Sequence, residues 1–546
     1  MGLGADGLVV TPAADPARVL LRSFAGEGAY AAVATRKAAA QWEMRFGSFK
    51  VEEGPQPWRQ ARGATATGLF PLQARWTGAD GGEIATVEIT SPSEGALLLT
   101  FRAAAADANR TSVAFACEET DRFLGFGAQS DALDHRGHKI PIWTSEPGIG
   151  KVDSDDPPEL WFLEGARHGS SMGLPTWLSP RGYVGVVESD RRSVFELCSA
   201  RADAWRVETW GRELKLWLYD GPAPAKALER ATAGVLGRPV VPPALAFAPW
   251  NDAIYGSDNV RRIAKLIRDE RIPSSAIWTE DFRGGHDVPT QGYRLLEEWD
   301  TDRSLYPDTE KLSAELRAQG FAWFSYFNTF LVEGTRVYAE AQRDGHFVRH
   351  PDGGPYLFDG VTFKPTGLAD LSRPETREWV KRYLRKSLDE GFDGWMADYG
   401  EWLPHDAVLH SGEDPAEAHN RYAHEWAKLN AEVLAERQGD GRQRLFFSRA
   451  GWLRTQTFAP VIWAGDQRTD FQKDDGLPTV ITMGLNLGLA GVSTYGHDIA
   501  GYQSATNPPA TKELFFRWTT LGALSPVMRT HHGIDARKNW WFGSDQ

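Results

Sequence analysis

From Pro242 to the C-terminus, short apolar runs alternate with amphipathic helical stretches, and this rhythm restricts the fold more than any other feature. The runs are Ala244–Trp250, Ala276–Phe282, Phe321–Phe327, Asp393–Tyr399, Leu445–Arg449, Val461–Asp466, Gly491–Asp498 and Pro526–His531. They are apolar throughout rather than alternating, as strands buried on both faces must be. Helical patterns lie between them. Asp258–Glu270 puts Val260, Ile263 and Ile267 on one face, Arg377–Glu390 does so with Val380, Tyr383, Leu384 and Leu388, and Ala416–Arg437 is a third. Strands joined by helical crossovers run parallel, and eight of them make a TIM barrel. The long gap after the third run, with Gly345, Asp352–Pro355 and Pro365, predicts an insertion at about 332–370.

Residues 1–240 read differently. Short β-type runs (Gln41–Val51, Ile84–Thr90, Ala96–Arg102, Tyr183–Glu188) are separated by turn signals at Gly78–Gly82, Ser91–Gly95 and Pro180–Gly182. Such spacing predicts a β-sandwich. Segment 146–165 is rich in Asp, Pro and Gly and reads as a long loop. The expected architecture is α/β: an N-terminal β-sandwich over 1–240, then a (β/α)8 barrel over 241–546.

Composition narrows the function classes. With 42% hydrophobic and 24% charged residues the chain is an ordinary globular one, which excludes disordered, fibrous and coiled-coil classes. Lys+Arg at 60 against Asp+Glu at 73 gives a net charge of −13, which disfavours nucleic acid and anionic membrane as partners. No run of 18 apolar residues and no signal-peptide pattern is present, so no membrane span is expected. The cysteines, Cys117 and Cys198, form no CxxC or Cys/His cluster, so no structural zinc is expected. A disulfide between them is permitted but not required, and the cytoplasm is the default compartment. The 22 Trp suit sugar rings and equally suit cores, and each is assigned to the core first.

In a TIM barrel the active site lies at the C-terminal ends of the strands. The residues there are Trp250, Asn251 and Asp252; Glu280 and Asp281; Asp398 and Glu401; Arg449; Asp466; His497 and Asp498; Arg529 and His531. Two carboxylates ringed by polar and aromatic groups is what glycoside hydrolysis needs, with no cofactor. With 73 acids, some end strands by chance, so this pattern alone does not decide the matter.

The literal strings do more. GWMADYGEWLP at 394–404, IWAGD at 462–466, GHDIAGY at 496–502 and MRTHHG at 528–533 stand in the order of glycoside hydrolase family 31, which the chain resembles. RFLGFG at 122–127, the strand 242–250 and the helix His419–Asn430 resemble further segments of that family, over roughly 120–546. The resemblance implies Asp398 as nucleophile and Asp466 as acid/base, with Arg449, Trp463, Asp498, Arg529 and His531 holding the sugar. It is nearest to the sulfoquinovosidase branch, in TDRFLGFGAQSDALDHRGHKIPIWTSEPGIG, ADYGEWLP and GDQRTDF. That branch implies a sulfonate pocket at Arg294 and Tyr502, with Glu280 in a position that carries Gln or Glu. Two positions depart from it: Tyr255 stands for Gln or Lys, and Glu297 for Trp or Gly, where a carboxylate repels a sulfonate unless it points away or pairs with Arg294.

The resulting expectation is a retaining α-glycosidase acting on terminal α-linked hexosides, with a small glycoside as partner. The alternatives are a sulfoquinovosidase, a transglycosylase using the same covalent intermediate, and a non-catalytic carbohydrate-binding protein. A homo-oligomer stays open. His497 is a sugar contact or a core histidine, Glu401 a substrate contact or a brace, and Asp281 a subsite residue or a partner of Arg283. Trp250, Trp395, Trp402 and Trp463 fall at strand ends around the site. Trp143 and Trp161 go to packing before sugar platforms. His531 and His532 have no Asp or His at ligand spacing, so no metal is expected. With the eighth strand ending near His531, a closing helix and the further β-domains that the resemblance implies do not fit before Gln546. A truncated barrel with open apolar surface is therefore expected.

Overall fold

The computed structural model describes residues 2–4, 7–12, 14–69, 71–149, 151, 165–288, 292–360, 364–504 and 508–543. Most of the loop expected at 146–165, including Trp161, lies outside these residues.

The N-terminal part holds an eight-stranded and a six-stranded antiparallel sheet that share one core. Alternation decides which side faces in: along Glu83–Thr90, Ala85, Val87 and Ile89 are buried between more exposed neighbours. The run Gln41–Val51 is a hairpin rather than one strand, Ala40–Arg45 pairing with Ser48–Glu53. Its turn residues Phe46 and Gly47 both have positive φ (47° and 74°), the conformation of a tight two-residue hairpin loop. Gly47 is also a packing requirement, since a Cβ there would fall 2.0 Å from Trp402 Nε1 of the barrel. Cys117 and Cys198 form a disulfide with Cα atoms 6.3 Å apart, settling what the sequence left open.

The second part is the expected barrel. Its parallel strands are β1 (Trp250–Asp252), β2 (Ala276–Trp278), β3 (Ala322–Phe327), β4 (Gly394–Ala397), β5 (Leu445–Ser448), β6 (Val461–Trp463), β7 (Tyr495–Gly496), β8 (Asp498–Ile499) and β9 (Arg529–Thr530). β7 and β8 are one stretch broken at His497: β7 pairs with β6, β8 pairs with β9, and β9 returns to β1. Ala244–Phe247 is a 3-10 turn and not strand, because Pro242 and Pro243 before it lack amide donors.

Helices α1 (Ser257–Asp269), α2 (Thr309–Ala318), α3 (Pro374–Asp389), α4 (Pro415–Ala435), α5 (Leu477–Leu489) and α6 (Lys512–Ala523) cover the barrel. In α3, proline opens the first turn, Trp379, Val380, Tyr383, Leu384 and Leu388 form the buried stripe, and Gly391 with φ 106° follows the end. The insertion carries the helix Arg336–Asp344 and a three-stranded sheet of Phe330–Val332, Pro365–Leu368 and Phe358–Asp359. The two parts interlock: Trp452 and Leu453 join the N-terminal core, while Met172 and Leu174 join the barrel core. Ile481, Leu485 and Phe516 on α5 and α6 are exposed apolar side chains. Among the described residues no helix is long and apolar enough to cross a membrane.

Candidate active site

Asp398 follows β4, where the chain leaves the barrel. Both its oxygens are held: Oδ2 accepts from the Tyr326 hydroxyl at 2.6 Å, and Oδ1 accepts from the Tyr399 amide at 2.8 Å. Arg449 Nε lies 3.4 Å from Oδ1. Arg449, after β5, is buried, and its guanidinium sits 3.9 Å over the Tyr399 ring. Its Nη2 donates to Glu401 and, at 2.8 Å, to Glu146 of the N-terminal domain. Glu401 is therefore a brace for Arg449, and burial, only partly offset by Arg449, pushes its carboxyl up to about 8. Glu146 also accepts from Trp402 Nε1 at 3.3 Å.

Asp466, after β6, is treated oppositely. It accepts from the Gln503 side-chain amide, 3.4 Å from Oδ2. Burial pushes its carboxyl well above the usual range; Arg449 opposes, and the charges of Asp398, Asp498 and Glu146 add to the rise. One end of the barrel thus holds one carboxyl gripped by three donors and a second that burial favours in its protonated form, an asymmetry suited to acid-assisted glycoside cleavage.

A second group forms beside them. Asp498 accepts from Trp463 Nε1 at 3.1 Å and from Arg529, while burial raises it to about 6. Arg529 lies between the rings of Phe447 (4.7 Å), Trp278 (4.9 Å) and Trp463 (5.2 Å), and its Nη1 has no protein partner. Asp252 Oδ2 accepts from the His532 amide at 2.7 Å and pairs with the His532 ring, whose Nε2 is 2.9 Å from Glu280. Burial works against a charged His532, but the carboxylates of Asp252 and Glu280 outweigh it and raise the ring to about 10. His531 packs edge-on to Trp278 at 4.8 Å, and burial holds it well below its usual value. Asp252, His531 and His532 bring donor atoms within 4.8 Å of one another, a proximity that sequence spacing hid. With both its nitrogens turned to carboxylates, His532 has no lone pair for a metal and works as a clamp.

Arg294 comes from the hairpin Gly285–Val288/Gly292–Leu295. Its guanidinium makes no ion pair or hydrogen bond among the described residues. Burial raises the Tyr502 hydroxyl well above its usual value; Glu280, Asp466 and Asp398 add to that and Arg294 opposes it, so Tyr502 stands among all four. Glu297 does not pair with Arg294. It lies 3.1 Å from Arg283 and accepts from Asn328 at 3.0 Å.

Two of the sequence-selected residues point elsewhere. Asp281 is fully buried and accepts from the Tyr255 amide (2.8 Å), the Tyr293 hydroxyl (2.6 Å) and the Tyr306 hydroxyl. It braces the loops, and Arg283 is not its partner. His497 accepts from Trp518 Nε1 at 2.9 Å and meets Ser525 Oγ at 3.0 Å, so both its nitrogens are used behind the barrel wall. Trp250 and Trp395 are also core: the first packs on Phe324 (5.4 Å), the second donates to Asn430 (2.5 Å). Trp143 stacks on Phe49 at 5.4 Å. Tyr326, Tyr399, Glu146, Gln503 and His532 were not singled out as site residues. Tyr399 and Gln503 adjoin motifs already noted, whereas nothing local marks Glu146.

Residues 239–545 match the family model described as "Glycosyl hydrolases family 31 TIM-barrel domain". The chain is 34% identical over 450 residues to a sulfoquinovosidase of Agrobacterium fabrum, covering 80% of this chain and 66% of that protein. It is 30% identical over 469 residues to a sulfoquinovosidase of Escherichia coli, covering 84% and 68%. With an α-xylosidase of Emericella nidulans the identity is 26% over 430 residues, covering 78% and 51%. The chain thus spans between about half and two thirds of these relatives' length. Among solved structures, a family 31 sulfoquinovosidase from E. rectale in complex with an aza-sugar inhibitor superposes with a TM-score of 0.84 at 28% identity, covering 93% of this chain and 76% of that one. The chain belongs to glycoside hydrolase family 31.

Proposed function

We propose that the protein is a retaining α-glycosidase for terminal α-linked hexosides. The observation that carries this is the contrasting surroundings of two carboxyls at one barrel end: Asp398 is held by Tyr326, Tyr399 and Arg449, and Asp466 is pushed up by burial. In the first step Asp398 attacks the anomeric carbon while the bond to the leaving oxygen breaks, and Asp466 gives that oxygen its proton. In the second, Asp466, now a carboxylate, takes a proton from water as the water oxygen displaces Asp398 from the anomeric carbon. Arg529 Nη1 and Asp252 Oδ1, both buried without protein partners, are offered to sugar hydroxyls.

One observation favours a second reading, an anionic substituent on the sugar. Glu280 is neutralised by His532 and Glu297 by Arg283, whereas Arg294 pairs with no carboxylate among the described residues. This fits an α-sulfoquinovoside, the class named in the sulfoquinovosidase relatives. Both readings are tested by aryl α-glucoside and aryl α-sulfoquinovoside assays of wild type, Asp398→Ala, Asp466→Ala and Arg294→Ala. Unchanged turnover in either Asp variant overturns the mechanism. Selective loss of the sulfonated substrate in Arg294→Ala establishes the anionic reading. Product analysis with an added sugar acceptor separates hydrolysis from transglycosylation. For compartment, the Cys117–Cys198 disulfide favours an oxidising one over the cytoplasm expected from sequence.

A further inference from the structure

We propose that Asp131, His138 and His168 form a zinc site that clips together the two ends of the segment presenting Glu146 to Arg449. The site lies in the N-terminal domain, apart from the carboxylates of the barrel. Three imidazoles converge there on one carboxylate. His138 Nδ1 is 3.1 Å from Asp131 Oδ2, and His168 Nδ1 is 3.7 Å from Oδ1. Ring centroids of His138 and His168 are 5.4 Å apart, with His135 at 5.9 and 6.3 Å from them. The donor atoms of Asp131, His138 and His168 all fall within 4.8 Å of one another. Ligands bound tetrahedrally at ~2.0–2.1 Å are about 3.3 Å apart, so the two N···O distances bracket the spacing a shared ion imposes.

A hydrogen-bonded His–Asp pair does not account for this cluster. His138 Nδ1 is buried without an aligned hydrogen-bond partner despite its nearness to Asp131, and His135 is fully buried with neither nitrogen satisfied. Buried imidazole nitrogens normally find partners. Gln129 Oε1 lies 3.0 Å from His168 Nδ1, the nitrogen that also faces Asp131, so an ion bound there takes the place of that contact. Two imidazoles and a carboxylate suit zinc; magnesium and calcium take all-oxygen sets.

The placement gives the site a consequence. His138 directly precedes the strand Lys139–Ile142, and His168 comes shortly before the strand Gly173–Ser179. The segment between them carries Glu146, bonded to Arg449, and Lys151, whose ammonium donates to Pro147 O at 2.5 Å and Gly169 O at 2.7 Å. Ser171, just past His168, donates to the Arg449 carbonyl at 3.1 Å. An ion shared by His138 and His168 ties together chain positions on either side of Glu146 and cuts the entropy of ordering it.

The test uses the full chain, stripped with a chelator and titrated with ZnCl2 by calorimetry, with zinc-dependent thermal unfolding as a second readout. Wild type is expected to take up zinc and to gain Tm with it. His138→Gln and Asp131→Asn, both at partly exposed positions, should bind more than roughly 100-fold more weakly and show no gain. His531→Gln, in the barrel cluster, should bind zinc as wild type does. Cobalt(II) loaded in place of zinc should give visible bands in wild type that are absent in His138→Gln. The proposal is overturned if stripped wild type takes up no zinc. It is equally overturned if both ligand variants keep wild-type affinity, or if zinc raises Tm in every variant alike.

Discussion

The Tyr326 hydroxyl donates to Asp398 Oδ2 at 2.6 Å, from inside β3 to the end of β4. A phenol aimed at a carboxylate that must attack carbon holds the oxygen in line and stabilises its charge. Tyr326→Phe keeps the ring, which stacks under Arg283 at 4.2 Å, and removes only the donor. A hydrogen bond to a charged group contributes ~1.5–3 kcal/mol. Loss of about 10- to 100-fold in kcat with KM little changed is therefore expected on an aryl α-glycoside. Wild-type kcat in this variant would remove Tyr326 from the mechanism.

What was legible in the sequence follows from where each residue sits. Asp398, Arg449, Asp466, Asp498 and Arg529 lie at strand ends, and strand ends of a barrel converge whatever the loops do. His531 and His532 were harder. They are adjacent, and which ring meets Asp252 depends on the turn after β9, which no periodicity reports. Tyr326 sits in an apolar run where its ring reads as filler, though its hydroxyl reaches the site. Glu146 comes from another domain, so only the folded chain brings it to Arg449. The hairpin tip at Gly47 was missed because Phe46 is no turn signal; the tight turn is set by contact with Trp402.

Asp466 must carry a proton to serve as acid. Burial above all, with added repulsion from Asp398, pushes its carboxyl well above the usual carboxylate range. The protonated, active form thus persists to higher pH than for an ordinary carboxyl and is lost as pH rises through the raised value, giving an alkaline limb in kcat/KM. Asp466→Asn should abolish that limb. It should cost roughly 10²–10⁴-fold on substrates with basic aglycones and far less on those with acidic phenols. A variant that keeps the alkaline limb would assign the acid elsewhere.

His497 offers a contrasting pH dependence. Burial and the charge of Arg529 lower its folded value to about 3, against about 6.5 for an ordinary histidine. A depressed histidine adds stability that is fully present above pH 6.5 and fades as pH falls towards 3, because the unfolded chain binds the proton more readily. One such group contributes a slope of up to ~1.4 kcal/mol per pH unit. His497→Gln should lower Tm at pH 7, since Trp518 or Ser525 loses a partner, and should flatten the decline between pH 6.5 and 4.5. Under a core role, kcat/KM on the aryl glycoside stays within about threefold. A large rise in KM would instead make His497 a sugar contact.

The disulfide gives a prediction on stability and compartment together. Cys117 and Cys198 are 81 residues apart and join the strand ends at Ala116 and Glu196 across the six-stranded sheet. Closing so long a loop restricts the unfolded chain by about 4 kcal/mol in the loop-entropy account, and measured bonds typically give ~2–4 kcal/mol. Cys117→Ser with Cys198→Ser should therefore unfold at clearly lower denaturant, with the N-terminal sheets affected first. The barrel site lies apart from the bond, so kcat under native conditions should hold within about twofold. Protein expressed in a reducing cytoplasm should behave as the double variant until oxidised. Equal denaturant midpoints for the oxidised wild type and the double variant would show that the bond contributes no stability.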